Sequence, residues 1–345
     1  MTRWSSDPEA AARTLIASDI DAHAMAQPAL WAGATPPDAA PGTATWHRRH
    51  SAAGPGTPEP PRGPFATVLL RLPKSRAEQL MATHLCLGVL ARDGRLIVYG
   101  GNDEGIRPFQ KVLAGLGATT TRATRGHGRV LQLLRSDVTA PLKPTIADWR
   151  REWPTADRDT PWISYPGLFA GGAPDAGTQL LLTHLPHLPA TATVLDYGAG
   201  PGAIAAHIRR VHPGAQLTLL DNDSVALLAA RANLPDASAI AGDRLEAAGP
   251  QRFDLIVSNP PLHTGFKDDT GPLLRLIAAA PAHLTSTGSL LLVVQSRIAL
   301  EPVLAATFAT VERLVTDRRY AVWRASGRRP PKPAPLGRIS KTQHA

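Results

Sequence analysis

The sequence predicts an α/β protein made of two successive α/β units. Short apolar runs with strand character alternate with segments of helical periodicity, and the alternation occurs twice with a Pro-broken stretch between. In the second unit, the apolar run Val194–Tyr197 ends in a glycine-rich turn and then a helical segment. That pattern marks a ligand site at the edge of an open sheet.

In chain order, Thr14–Ser18 is a strand candidate. Residues 33–64, rich in Pro, Ala, Gly and Thr, are expected to form a long loop or disordered insertion. Ala66–Leu72 reads as a strand and Lys74–Leu90 as a helix, with Leu80, Met81, Leu85 and Leu87 at helical spacing. Arg95–Gly100 is a strand, Arg107–Leu116 a helix closed by Gly117, and Val130–Leu134 a further strand. Pro141, Pro144 and Pro154 break residues 136–160 into a linker, in which Trp149 and Trp153, with Trp162 just beyond, are expected to pack. Strands are then expected at 192–197, 216–221, 237–241, 253–258, 288–294 and 319–325, and helices at 201–211, 224–233, 271–283 and 298–308. The domain boundaries that follow are 1–145, a linker at 146–160, a second domain at 161–326 and a basic tail at 327–345. No short-period repeat is visible, which leaves open that the halves are distant copies of one fold.

The charge distribution is uneven. The net charge of +9 divides into −2 over residues 1–60, +7 over 61–160, −4 over 161–312 and +8 over 313–345. Basic flanks around an acidic middle suit a phosphate-rich partner gripped by the flanks while the middle does something else. Arg318, Arg319, Arg324, Arg328, Arg329, Lys332 and Arg338 are the candidates for this grip near the C-terminus. Cys86 is the single cysteine, so a reducing compartment is expected. The N-terminus lacks an apolar signal core and the longest apolar runs, such as Leu290–Val294, are strand-sized. A soluble cytoplasmic protein with no membrane partner is expected, and a monomer. The twelve histidines show no metal-ligand spacing, and no metal is expected.

The candidate cofactor loop is Val194-Leu-Asp-Tyr-Gly-Ala-Gly-Pro-Gly202. Gly198, Gly200 and Gly202 let the backbone turn sharply and approach a ligand, and Pro201 suits a first helical turn. Asp196 puts a carboxylate beside the loop, which fits the amino group of a methionine moiety better than a pyrophosphate. Asp221, at the end of the next strand and 23 residues after Gly198, is placed to accept ribose hydroxyls. Asp243, after the strand that follows, is a candidate acceptor for an adenine amine. A nicotinamide site is the rival reading, since Asp221 would serve it equally. The G-x-G-x-G spacing and the carboxylate of Asp196 count against it.

The candidate catalytic loop follows the apolar run Phe253–Ser258 and reads Asn259-Pro260-Pro261-Leu262-His263. The prolines remove two N–H donors and fix φ, leaving nearby carbonyls aimed in set directions. The Asn259 side-chain carbonyl and the Pro260 carbonyl then make two acceptors for one amine. Such a pair suits an amine on a conjugated ring, whose nitrogen gains positive charge as it attacks a sulfonium methyl. Asp196, Asp221, Asp243 and this loop together point to S-adenosylmethionine as cofactor. The loop alone leaves open an amine of DNA or a protein glutamine amide as the acceptor, and a non-catalytic RNA-binding assembly protein as a further alternative. Intact Asp196, Gly198, Gly200, Asp221 and Asn259 argue against that last reading.

These motifs resemble the bacterial small-subunit 16S ribosomal RNA guanine-N2 methyltransferases of the C type. The resemblance covers Tyr165-Pro-Gly-Leu-Phe169, Asp175-Ala-Gly-Thr-Gln-Leu-Leu-Leu182, the Asp196–Gly202 loop, Leu219–Asp221, Ser258–His263, His283–Gly288 and Tyr320–Ala325. In the first half, Pro73–Glu78 and Tyr99–Gly105 are similar to the family's N-terminal domain. The resemblance implies two tandem Rossmann-like class I methyltransferase domains. The N-terminal one would be degenerate and serve RNA binding and stability. The second would bind S-adenosylmethionine and methylate a guanine amine in ribosomal RNA or the small subunit. It also implies that Phe169, Asp175 and Thr178 line the cofactor site. The residue after Asn-Pro-Pro is usually aromatic in that family. Here it is Leu262, with Phe266 and His263 as the base-contacting candidates beside it.

Overall fold

The computed structural model describes residues 29–33, 43–52, 54–125, 127–155, 160–168, 174–260 and 270–329. The strand expected at Thr14–Ser18 lies outside these residues, as do Phe169, Pro261, Leu262, His263, Phe266, Lys332 and Arg338.

The first domain is built on a six-stranded sheet: β1 (Ala29–Ala32), β2 (Ala44–Trp46), β3 (Phe65–Arg71), β4 (Leu90–Gly101), β5 (Gly117–Arg125) and β6 (Gly128–Val138). Helix α1 (Arg76–Gly88) follows β3, and α2 (Ile106–Ala114) follows β4. The strand order is β2-β1-β3-β4-β6-β5, parallel through β4 and antiparallel beyond it. A single 3-10 turn at Ile146–Trp149 and a short hairpin, β7 (Arg151–Trp153) with β8 (Trp162–Ser164), carry the chain onward.

The second domain begins with α3 (Ala176–Leu182). It continues through β9 (Thr193–Tyr197), α4 (Ala203–Val211), β10 (Gln216–Asp221), α5 (Ser224–Asn233), β11 (Ser238–Ala241) and β12 (Phe253–Ser258). It ends with α6 (Gly271–His283), β13 (Leu284–Gln295), α7 (Glu301–Thr307), β14 (Phe308–Thr316) and β15 (Tyr320–Arg328). Its seven strands run β11-β10-β9-β12-β13-β15-β14. The inner strands β9, β12 and β13 are covered on both faces, which explains their near-continuous apolar sequences. Leu195, Ile256, Leu290 and Leu292 face one core cluster, while Val194, Leu255, Val257 and Leu291 face the other.

Counted from the antiparallel edge, β5-β6-β4-β3-β1-β2 repeats the order β14-β15-β13-β12-β9-β10. The two halves therefore share one plan, as the resemblance implied. The sequence reading missed strands at the outer edge of both copies. β5 is Thr-rich and largely exposed, so it carries almost no apolar alternation. β14 starts with the Phe308 that was expected to end a helix, and its exposed positions hide its period.

Residues 33–64 are not simply an insertion. They contain β2, and Arg49 forms an antiparallel bridge with Asp223 of the second domain. The second helix is capped at Gly115 rather than Gly117, and β5 begins at Gly117. A basic tail drawn from residue 327 overlaps β15, which runs to Arg328, and the Arg329 N–H still donates to the Thr307 carbonyl at 3.2 Å. Arg318, Arg319, Arg324 and Arg328 accordingly belong to the β14–β15 hairpin, where Arg324 pairs with Glu312 at 2.6 Å. No helix among the described residues is long and apolar enough to cross a membrane.

The linker joins the two cores. Ile146 and Trp149 pack against the apolar cluster of the first domain and also against Ile163, Tyr165, Val225 and Ala229. The Trp149 indole donates to the Lys143 carbonyl at 3.0 Å and meets the His84 ring edge-on at 5.2 Å. Trp162 is buried as expected, but Trp153 is 52% exposed and does not pack. Trp149→Ala is expected to cost about 2 kcal/mol, below the full core value because the ring is half-buried. Because the ring is shared, scanning calorimetry should show one transition splitting towards two.

Candidate active site

The glycine loop forms where β9 leaves the sheet. The Gly198 and Ala199 N–H groups donate to the Leu220 carbonyl at 2.8 and 3.2 Å, folding the loop over the end of β10. Gly198, Gly200 and Gly202 have φ of 70°, 56° and 91°, a region costly for any side chain. A Cβ on Gly200 would point into open space, so that position needs glycine for its backbone and leaves room for a ligand. Gly202 is the non-helical residue preceding α4, so the helix starts at Ala203 and Pro201 lies in the turn before it, not in the first helical turn. The Pro201 carbonyl accepts from Asn233 Nδ2 at 3.0 Å.

Asp196 is 1% exposed. Its Oδ2 accepts from the Ala205 N–H at 3.1 Å, and its Oδ1 has no hydrogen-bond partner among the described residues. Burial pushes its pKa up to about 7, the Ala205 N–H opposes the rise, and the nearby Asp221 charge adds to it. Asp221, at the end of β10, is only partly covered. Its two oxygens accept from the Gly200 N–H at 2.7 Å and the Asp223 N–H at 2.8 Å. Each oxygen keeps a second lone pair. Burial raises Asp221 to about 6. The Asp223 N–H pulls it down, the Asp223 charge pushes it up, and the Gly200 N–H and the Arg49 charge pull it down. Asp243 is exposed, and its backbone carbonyl accepts from the Tyr197 hydroxyl at 3.0 Å.

The end of β12 is tied to the end of β9 by buried Ser258, whose Oγ donates to the Tyr197 carbonyl at 2.6 Å. Asn259 follows immediately, beside the glycine loop. Its Nδ2 donates to Asp175 Oδ1 at 3.0 Å and to Thr178 Oγ1 at 2.9 Å. Asp175 Oδ1 also caps α3 by accepting from the Thr178 N–H at 2.7 Å. The structure thus brings Asp175, Thr178 and Asn259 into one cluster. Asp175 is acceptor-only when ionised, so the amide nitrogen must face it. Both amide hydrogens are then used inside the protein, and Oδ1 is the group Asn259 has left to offer. Pro260 beside it is buried and has no N–H.

Sequence reasoning overlooked Ser258, Asp223 and the Arg48–Arg49 pair. A small hydroxyl at a strand end and an Asx residue before a helix are weak signals singly. The Asp223 N-cap, accepting from the Val225 and Ala226 N–H groups at 3.0 and 3.4 Å, was legible from its place before α5.

Residues 47–153 match the methyltransferase small domain N-terminal family, and residues 160–324 match the methyltransferase small domain. The ribosomal RNA small subunit methyltransferase C of Pseudomonas entomophila is 35% identical over 274 residues, covering 77% of this chain and 80% of that one. The chain belongs to the ribosomal RNA small subunit methyltransferase C family. The family member of Pseudoalteromonas translucida is 31% identical over 265 residues, with 75% and 77% covered. The fold is shared with the T. thermophilus 16S rRNA N2 G1207 methyltransferase, solved in complex with AdoMet and guanosine. That match has a TM-score of 0.75 at 23% identity over 94% of this chain and 93% of that one. The N-terminal match begins at residue 47, so Arg48 and Arg49 belong to the family's domain rather than to an insertion.

The raised Asp196 pKa has a consequence for stability. The folded chain holds that proton more tightly than the unfolded chain, so stability is lost as pH rises from near 3.8 through about 7. Asp196→Asn keeps an acceptor for the Ala205 N–H without the buried charge. Without cofactor, its melting temperature should exceed that of the unaltered protein at pH 8, by roughly 2–4 °C per kcal/mol regained. The difference should vanish near pH 4, and an equal gain at both pH values would contradict the assignment.

Proposed function

We propose that this protein transfers a methyl group from S-adenosylmethionine to the exocyclic N2 amine of a guanine in small-subunit 16S ribosomal RNA. The observation that carries the reading is the direction of the Asn259 amide. With Nδ2 donating to Asp175 and Thr178, Asn259 can only accept from a substrate. A site that accepts and does not donate selects an NH₂ group over a ring carbonyl. The same polarity would suit a glutamine amide or a DNA amine. The family membership and the basic first domain favour RNA.

The residues fit the cofactor. Asp196 Oδ1 is a buried acceptor without a donor among the described residues, and an ammonium group is a donor of matching charge. Asp221 keeps lone pairs for ribose hydroxyls, the open side of Gly200 admits a ligand, and exposed Asp243 can accept from an adenine amine. Gly198 and Gly202 shape the loop, and the family resemblance adds Asp175, Thr178 and Phe169, the last outside the described residues, as cofactor-lining candidates. When bound, S-adenosylmethionine supplies an electrophilic methyl carbon on a sulfonium sulfur.

Asn259 Oδ1 and the Pro260 carbonyl would accept the two hydrogens of the guanine amine. The guanine lone pair is delocalised into the ring, and two acceptors favour the geometry in which it points at the methyl carbon. Methyl transfer would leave the C–S electron pair on sulfur and build positive charge on N2, next to the Asn259 and Pro260 carbonyls. Two oriented carbonyls stabilise that charge in place, and the surplus N2 proton passes to solvent. Pro261, Leu262, His263 and Phe266 lie outside the described residues; by sequence and family resemblance Pro261 would stiffen the loop and the other three would be the base-contacting candidates. A guanine within a helix must be flipped out to reach such a site. The positive first domain would hold the flanking phosphates. The reading places the protein in the cytoplasm, with its RNA substrate.

The test is methyl transfer to 16S RNA and to assembled small subunits, with N2-methylguanosine mapped by mass spectrometry. Label on another atom, or on DNA in preference to RNA, would refute the proposal. Asn259→Ala is expected to lower kcat by about 100-fold or more while calorimetry shows the cofactor affinity little changed. Asp175→Ala frees the Asn259 amide to rotate. It should lower kcat by about tenfold and cost about 1 kcal/mol of stability from the lost cap.

A further inference from the structure

The first domain reaches the cofactor acids through a strip of backbone. The His50 N–H donates to the Asn222 carbonyl at 2.7 Å. The Arg48 carbonyl accepts from the Ser224 N–H at 3.1 Å and from Ser224 Oγ at 2.6 Å. This strip lies on the β10–α5 turn, one residue past Asp221. Side chains then reinforce it. Arg48 Nε donates to Asp223 Oδ1 at 2.7 Å, and Arg48 Nη1 lies 3.5 Å from Glu78 of α1. Arg49 donates to both Glu78 oxygens at 3.1 and 2.9 Å and lies 3.6 Å from Asp223 Oδ2. The side chains of Arg48, Glu78 and Asp223 are 6, 7 and 11% exposed, whereas Arg49 is at the rim at 47%. A Cβ on Gly167 would stand 2.8 Å from Arg48 Nη1 and 2.8 Å from Glu78 Cβ, so the cluster is enclosed without slack.

A buried ion cluster is a poor source of net stability, because desolvation offsets most of the attraction. Its position is the informative fact. Asp223 touches Arg48 with its carboxylate and Asp221 with its N–H, and Asp221 in turn holds the Gly200 N–H. One chain of contacts therefore runs from Glu78 in the first domain to the glycine loop in the second.

We propose that Arg48, Arg49 and Glu78 are positioning residues for the cofactor site, through which the first domain sets the place and the charge state of Asp221. The proposal rests on the reading of Asp221 as the ribose acceptor. Arg48 fixes the turn through Asp223. Arg49 places a cation 3.6 Å from the Asp223 carboxylate, and its charge is the smallest of the influences on Asp221, after burial, the Asp223 N–H and charge, and the Gly200 N–H. The other titratable groups coupled to Asp221 are Asp196 and the Tyr197 phenol, and neither brings positive charge. Removing the Arg49 charge takes away an attraction that keeps Asp221 ionised, so Asp221 would hold its proton to higher pH.

The experiment is calorimetric titration of the full chain with S-adenosylmethionine from pH 5.5 to 8.5. Arg49→Gln should weaken binding near pH 6.5 by up to about tenfold for each unit that Asp221 moves, and much less at pH 8.5. Its melting temperature should fall, because buried Glu78 loses both of its hydrogen bonds from Arg49, and that loss of stability does not by itself make binding pH-dependent. Arg48→Met should weaken binding at every pH, and Arg48→Lys should restore part of it. A purely structural role would not produce a pH-dependent loss. Arg49→Gln titrating like the unaltered protein across the range would overturn the proposal, and decides it even if Arg48→Met fails to fold. Asp221→Asn separates the two readings. If it binds cofactor normally, the ribose assignment itself fails and takes the proposal with it. If it loses affinity while Arg49→Gln does not, the ribose assignment stands and the positioning role alone is lost.

Discussion

The hydrogen bonds from the Asn259 amide to Asp175 and Thr178 give the site its direction. An asparagine side chain is chemically two-faced, and its donor and acceptor ends are nearly the same shape. A carboxylate acceptor at the start of α3 removes that ambiguity, because the amide oxygen turned towards it would meet repulsion. Everything built around the loop serves this orientation. Ser258 pins the strand end to β9, Pro260 withholds a donor, and the glycine loop beside them leaves space above its backbone.

The first domain carries different residues at the equivalent strand end of the same plan. At the end of β3, in the place that the end of β12 holds in the second domain, the chain reads Arg71-Leu72-Pro73-Lys74. Arg71 is paired with Glu104 and lies over the Tyr99 ring at 5.8 Å. A cation matched by its own carboxylate occupies that strand end, where the second domain holds the Asn259 amide with its nitrogen bonded to Asp175 and Thr178. The two copies keep the sheet order and differ in the charge at the strand ends. In the first copy the strand end meets a partner within the domain. In the second, under the proposed function, it would meet a ligand.

Much of this was legible in the sequence. The inner strands are apolar on both faces, so 216–221 and 253–258 were read to the residue, and the glycine loop and Asn-Pro-Pro announced themselves by composition. The edge strands β5 and β14 were not, because a strand covered on one face and bonded on one side is under weak pressure to show a pattern. Asp175 and Thr178 were found by resemblance, but their contact with Asn259, more than 80 positions away, has no local trace. Arg48 and Arg49 were hidden by the prolines and alanines around them. Composition reports how little core a segment can build, and it is silent about two residues that reach another domain.

That reach bears on how the chain is made. Arg48 and Asp223 are 175 positions apart, yet β3 to β6 lie between them in sequence and belong to the first domain. As the nascent polypeptide leaves the ribosome, the first domain can assemble its inner strands early. The Arg48–His50 strip still has to wait until the turn after β10 has emerged. During that interval two arginines and a glutamate are exposed to water, where they are well solvated and harmless. Charged groups suit a seam that closes last, since an apolar one would stay sticky for the whole time it took to synthesise its other half.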